Sequence, residues 1–154
     1  MSYNLLKGKR GIIFGALNDQ SIAWKVAERA VAEGAQIVLT NTAVALRMGE
    51  IDNLAQALNA PVIAADATNI EELENLVDKA MEHFGGKIDF VLHSVGMSPN
   101  VRKSIPYQQL NYTFLDKTLD ISALSFHKVM QVLYNKQAMN EWGSIVALSY
   151  LAAQ

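Results

Sequence analysis

Five short apolar runs, each closed by a glycine or a small or polar residue, constrain this chain more than any other feature. They are Gly11-Ile12-Ile13-Phe14, Gln36 to Thr40, Val62 to Ala65, Ile88 to His93 and Ser144 to Ser149. Each is too short for a helix and mostly apolar, as a strand buried on both faces should be. Helical periodicity separates them. From Ser21 to Glu33 the chain places Ile22, Ala23, Val26, Ala27, Ala30 and Val31 on one face, with Ser21 as N-cap and Gly34 as the stop. A second helix runs from about Ala43 to Leu58. Thr68-Asn69-Ile70-Glu71 forms a capping box ahead of a stripe of Ile70, Leu73, Leu76, Val77, Ala80, Met81 and Phe84, and Gly85-Gly86 ends it. The region from about Thr118 to Asn140 is mostly helical. Alternating strands and helices predict right-handed βαβ units and an α/β doubly wound parallel sheet of Rossmann-like type, with strand order 3-2-1-4-5.

The 154 residues, 51% hydrophobic and 18% charged, suit one globular domain with a real core. A formal charge of −2 with scattered Lys and Arg excludes a broad basic field, so no nucleic-acid partner is expected. The absence of cysteine excludes disulfides and thiolate metal sites, no metal site is expected, and a reducing cytoplasm is compatible with that composition. No apolar run reaches the length of a bilayer span, and Met1 to Arg10 has no secretory pattern. One stretch breaks the rhythm. Met97 to Lys117 is a polar insertion of about twenty residues, which in a compact domain is a functional or disordered loop; it is expected to face substrate.

Ligands of doubly wound sheets bind beyond the carboxyl ends of the strands. The first such tip, Gly15 to Ala23, lacks a full G-x-G-x-x-G fingerprint. Gly15 would still let the backbone turn close to a pyrophosphate, and a helix beginning at Ser21 would offer N–H groups, a positive dipole end and a hydroxyl. An ordinary strand-to-helix turn with a serine cap accounts for the same residues equally well. At the second tip, Thr40-Asn41-Thr42 holds no acidic residue for a ribose diol and no base before Arg47 for a 2′-phosphate, which favours NADH over NADPH. Asn41 and Thr42 could bind a hydroxyl, although capping the next helix suits Thr42 at least as well. Asp66 could accept from an adenine amino group while the Ala67 N–H meets a ring nitrogen; a plain turn aspartate is the alternative.

At the fourth tip, His93-Ser94-Val95-Gly96 would bring backbone to the ribose and nicotinamide through Gly96. His93, on an apolar strand, is expected to be a satisfied core histidine rather than a catalyst. Tyr150, at the end of the last strand, could donate to a developing enolate oxygen, or could simply rest its hydroxyl in water.

Together these residues resemble the enoyl-acyl-carrier-protein reductases, a divergent branch of the short-chain dehydrogenase/reductases. The resemblance runs from Lys7-Gly8-Lys9-Arg10 through Gly15-x5-Ser21-Ile22-Ala23, Gly34-Ala35, Asp66, His93-Ser94-Val95-Gly96, Asp120-Ile121-Ser122 and Ser125-Phe126 to Ser149-Tyr150-Leu151. The G-x5-S-I-A and H-S-x-G forms belong to this branch rather than to the superfamily at large. The resemblance implies that Gly15, Ser21, Ile22, Thr42, Asp66, Ala67, Ser94, Val95 and Gly96 line NADH, that Ser98 touches substrate and that Tyr150 is the first active-site tyrosine. It implies hydride transfer to the β-carbon of a trans-2-enoyl thioester carried by acyl carrier protein, in a cytoplasmic homotetramer. Thr42 departs from the glutamine often found there.

The family continues with a second tyrosine, a lysine beyond it and two further strands, so residues 1–154 are expected to form the dinucleotide-binding N-terminal part of a longer single-domain reductase, inactive alone. A nicotinamide-binding module without chemistry and a short-chain reductase acting on a carbonyl are the competing readings.

Overall fold

The computed structural model describes residues 2–149. Its elements are β1 (Arg10–Phe14), α1 (Ile22–Ala32), β2 (Gln36–Thr40), α2 (Ala43–Met48), α3 (Ile51–Leu58), α4 (Ile70–Phe84), β3 (Ile88–His93), α5 (Pro99–Arg102), α6 (Tyr112–Leu119), α7 (Ser125–Asn135) and β4 (Met139–Ala147). A 3₁₀ turn (Tyr107–Gln109) precedes α6, and a π-helical turn (Asp120–Leu124) joins α6 to α7. The strands form one sheet in the order β2-β1-β3-β4, every pair parallel.

Side chains leave the sheet alternately, and each face has its own core. Ile12, Phe14, Val38 and Val91 pack with Leu73, Leu76 and Val77 of α4 and Val129, Val132 and Leu133 of α7. Ile13, Ile37, Leu39 and Leu92 pack with Ala23, Trp24 and Ala27 of α1 and Ile51 and Leu54 of α3. That is the doubly wound arrangement. Within β1, Gly11 pairs with Phe90, and a Cβ on Gly11 would sit inside the Phe90 ring. The glycine is there to accommodate an aromatic side chain from the neighbouring strand.

Several elements differ from the expectation. The third strand, Val62 to Ala65, is reduced to a single bridge between Val62 and Leu39. It does run along the free edge of β2, through Leu39 N–H to Pro61 O (3.0 Å), Ile63 N–H to Leu39 O (2.9 Å) and Ala65 N–H to Asn41 O (3.0 Å). Pro61 has no N–H to extend the ladder. The segment therefore lies where the order 3-2-1-4-5 puts it.

The helix expected from Ala43 to Leu58 is two, because Gly49 is extended and the Glu50 N–H donates to Leu17 O (2.8 Å). The capping box is shifted by one residue: Asn69, not Thr68, is the N-cap, accepting from the Glu71 and Glu72 N–H groups. The last strand carries an irregularity, since Ile88 pairs with Met139 but Phe90 pairs with Ser144, so residues 140–143 are excluded from the ladder and regular pairing starts at Ser144 as the sequence indicated.

The Met97 to Lys117 insertion is not a bare loop. Asn100 is buried, and its side-chain amide accepts from the Asn111 N–H (3.1 Å) and donates to the Asn111 carbonyl (3.0 Å), which closes the segment on itself. A side chain that replaces a ladder pair in this way leaves no periodic signal.

Candidate functional site

The register brings the carboxyl ends of the strands level. Phe14 is opposite both Thr40 and His93, and His93 is opposite Ala147, so Gly15, Asn41, Ser94 and Leu148 leave the sheet side by side. A cleft along those tips is the one a doubly wound sheet offers a ligand.

Gly15 has φ +91°, and a Cβ there would land in the Ser94 carbonyl. Its N–H donates to Thr40 O (3.1 Å). Glycine is thus required for both conformation and close approach. Ser21 precedes α1 as its N-cap residue, but its hydroxyl does not cap the helix. It accepts from the Leu17 and Asn18 N–H groups (3.1 Å each) and donates to Asn18 O, organising the turn instead. The Ile22 and Ala23 amides at the start of α1 have no acceptor among the described residues. Open helix N-terminal amides next to a glycine turn form an anion cradle.

At the second tip both side chains have structural employment. Asn41 donates to Ala16 O (3.0 Å) and accepts from the Thr42 N–H (2.9 Å), tying β2 to the first turn. Thr42 caps α2 by accepting from the Ala45 N–H (3.2 Å), which leaves its hydroxyl hydrogen. At the third tip the Asp66 carboxylate accepts from the Thr68 N–H and hydroxyl (2.8 Å each) through Oδ1 alone, and Glu72 Oε2 accepts from the Asp66 N–H (2.8 Å). Oδ2 has no partner in these bonds. Ala67 is buried beside it.

The fourth tip differs in being held from outside the sheet. Gly96 is exposed, and a Cβ on it would meet only Ser122 Oγ, at 3.8 Å. Ser122, in the π turn, accepts from the Met97 N–H (3.1 Å). His93 is 2% exposed, and its Nε2 lies 2.8 Å from Ser125 Oγ. Burial pulls its imidazole below the usual histidine range, against a smaller opposing contact with its own backbone. The expectation of a satisfied core histidine is met. Ser98 caps α5 by accepting from the Val101 N–H and lies 3.4 Å from the Thr118 hydroxyl. Tyr150 lies outside the described residues.

Sequence reasoning gave no role to Ser122, Ser125 or Lys128. Lys128 donates to Thr68 O (2.9 Å) and Asp120 Oδ1 (2.7 Å), joining the third tip to the π turn. The signal for the two serines was the Asp120-Ile121-Ser122 and Ser125-Phe126 pattern, which does not reach Lys128; the π turn that aims the serines has no sequence period of its own.

Comparison with known proteins agrees with this arrangement. A family model described as enoyl-(acyl carrier protein) reductase matches residues 15–154. A curated relative from Rhizobium meliloti, enoyl-[acyl-carrier-protein] reductase [NADH] 1, is 36% identical over 97% of this chain and 54% of its own length. A second, from Mycolicibacterium smegmatis, is 33% identical over 95% of this chain and 54% of its own. The crystal structure of FabI from Alistipes finegoldii superposes with a TM-score of 0.96 at 70% identity, covering 99% of this chain and 59% of that one. A FabI–NADH complex from the same organism gives a TM-score of 0.97 at 71% identity, covering 99% of this chain and 54% of that one. The chain spans little more than half the length of these relatives. Matching motifs, matching sheet and a family model covering most of the chain lead to one conclusion: this chain belongs to the enoyl-acyl-carrier-protein reductase family.

Proposed function

We propose that the protein at its full natural length is an NADH-dependent enoyl-acyl-carrier-protein reductase of type II fatty acid synthesis. The observation that carries this reading is the row of level strand tips flanked by an anion cradle at Gly15 and an open backbone edge at Gly96. The unpartnered Ile22 and Ala23 amides and the free Asp66 Oδ2 fit a pyrophosphate and an adenine amino group. In this reading Gly15, Ser21 and Ile22 hold the pyrophosphate end, with Ser21 acting through the shape of the turn. Thr42 turns its spare hydroxyl hydrogen to the ribose, and Asp66 and Ala67 take the adenine. Ser94, Val95 and Gly96 present backbone to the nicotinamide ribose.

The cofactor supplies a hydride. Everything else falls to the chain and its substrate: Ser98 positions a trans-2-enoyl thioester, and Tyr150 donates a hydrogen bond to the carbonyl oxygen as it gains negative charge. With the cofactor bound, its hydride would go to the β-carbon and a proton from solvent to the α-carbon, giving the saturated thioester. The curated relatives' names support acyl carrier protein as the substrate's carrier. We extend the reading to a homotetramer in the cytoplasm; no described helix is long and apolar enough to cross a membrane.

The test is NADH oxidation with crotonyl-coenzyme A, run alongside cofactor binding on the same preparation. Turnover with the enoyl thioester and none with ketones is expected. Binding without turnover would favour a non-catalytic module, and turnover of ketones a carbonyl reductase.

A further inference from the structure

The tip of β3 is gripped more elaborately than packing requires. Three groups converge on residues 93–97. From β1, Gly15 admits the Ser94 carbonyl at a distance no side chain would allow. From the π turn, Ser122 accepts from the Met97 N–H at 3.1 Å. From the first residue of α7, Ser125 meets the His93 ring at 2.8 Å.

The Ser125 hydroxyl also lies 2.6 Å from Ile121 O, within the π turn. A hydroxyl has one hydrogen to give, and a carbonyl can only accept it. With that hydrogen spent on Ile121, Ser125 Oγ can only accept from the ring, so the imidazole proton sits on Nε2. The ring is flanked by Phe14 (centroids 6.1 Å apart) and Phe126 (5.4 Å, edge-on), and burial disfavours its charged form. The π turn is what makes both serine contacts possible. Each residue of an α-helix turns the chain by about 100°, so the residue that a π turn adds re-aims every side chain before it relative to those after it. Ser122 and Ser125 then reach opposite ends of one five-residue segment.

We propose that His93 is a positioning residue for the nicotinamide end of the cleft, held by Ser125 with its proton on Nε2, and that the π turn serves to set the 94–96 backbone. The inference rests on the dinucleotide reading above. It concerns one end of that site only, because the pyrophosphate cradle and Asp66 are built from other elements.

The experiment uses the protein at its full natural length and two probes, NADH and ADP, which lacks both the nicotinamide and its ribose. Ser125→Ala removes the acceptor for Nε2–H and the donor to Ile121. It is expected to weaken NADH about tenfold in calorimetry, because the 94–96 backbone leaves its binding geometry, while ADP binding is unchanged. His93→Gln, whose amide nitrogen can take the place of Nε2–H, is expected to keep the wild-type ratio of the two affinities. Ring ¹⁵N shifts of the wild-type protein should show His93 protonated on Nε2 alone. Equal weakening of both ligands by Ser125→Ala, no weakening of either, or a proton on Nδ1 would overturn the inference while leaving the dinucleotide site intact. A wild-type protein that binds neither ligand would overturn the reading of the site, and the inference with it. Should Ser125→Ala not fold, His93→Phe, which keeps a ring but has no donor, is expected to weaken NADH and not ADP, and an unchanged ratio of the two affinities would overturn the inference.

Discussion

β2 and β4 are strands of one parallel sheet, yet they could belong to different proteins. Four of the five residues of β2 are buried, with Val38 and Leu39 wholly so. Among the nine residues of β4 none is buried; Met139 and Ile145 rest on the α7-side core, while Trp142 is fully exposed and Val146 52% exposed. β2 has α1 and α3 over one face, and its outer edge is covered by residues 61–65. Among the described residues, β4 has neither a second face cover nor a neighbour on its far side. Parallel strands are normally buried on both faces, so the comparison teaches that the β2 half of the sheet carries its own cover, whereas the described residues leave the outer side of β4 open.

The widest gap should appear in core truncations. Leu39→Ala, which opens a cavity, is expected to cost about 2–5 kcal/mol in urea unfolding, whereas Val146→Ala should cost well under about 1 kcal/mol if its surroundings in solution are as open as they are here. A cost at Val146 approaching that at Leu39, in the protein at its full natural length, would show that another segment or another copy covers β4.

Glycines at two tips sharpen the contrast in a second way. Gly15→Ala must place a Cβ at φ +91° and against Ser94 O, and is expected to lose about 1–3 kcal/mol of stability together with NADH binding. The Cβ that Gly96→Val adds meets only Ser122 Oγ, at an ordinary 3.8 Å, so the substitution should weaken the nicotinamide end of the cofactor with little change in melting temperature. Lost stability with unchanged affinity would make Gly96 structural.

A smaller effect is expected at the tip of β2. Thr42→Arg should move cofactor preference toward NADPH by about tenfold, since a guanidinium can pair with the 2′-phosphate; steady-state kinetics with both cofactors measure it. No shift would place the ribose elsewhere.

The smallest is a response to acid. Burial works against ionisation of Glu33, but the Leu5 and Tyr3 N–H groups and Arg29 outweigh it and hold its carboxyl below the usual range. Asp89, also opposed by burial, is lowered by the Arg10 N–H, Asn140 and Lys9. Both contributions are present above the ordinary carboxylate range, near about 4, and are lost as pH falls through the lower folded values. Urea midpoints should therefore fall on acidification below that range, and Glu33→Gln should flatten the fall. His93 acts in the same direction: its lowered folded value means the unfolded chain takes up the proton first, so stability is lost as pH falls below about 6.5.

How much was legible differs element by element. The strand at Ile88 to His93 and the helix at Ile70 to Phe84 stand where the sequence placed them, because a buried strand and an amphipathic helix each write their environment into every residue. Ser21 is the N-cap residue the sequence indicated, but its hydroxyl organises the Leu17–Asn18 turn instead of capping the helix: a serine before a helix looks the same in either role, and only the path of the preceding chain chooses between them. Asn100 escaped notice because its partner, Asn111, supplies backbone atoms that any residue would have.

The sequence by itself determined the class of fold, the strand tips that could face a ligand and the family, since burial pattern and short motifs are local properties of the chain. Tertiary structure alone decided what each tip residue has left to offer: Thr42 one hydroxyl hydrogen, Asp66 one oxygen, Gly96 an open edge, His93 a fixed ring. A hydrogen-bonding group can be spent only once, and whether it has been spent depends on atoms that lie as far apart in the chain as His93 and Ser125.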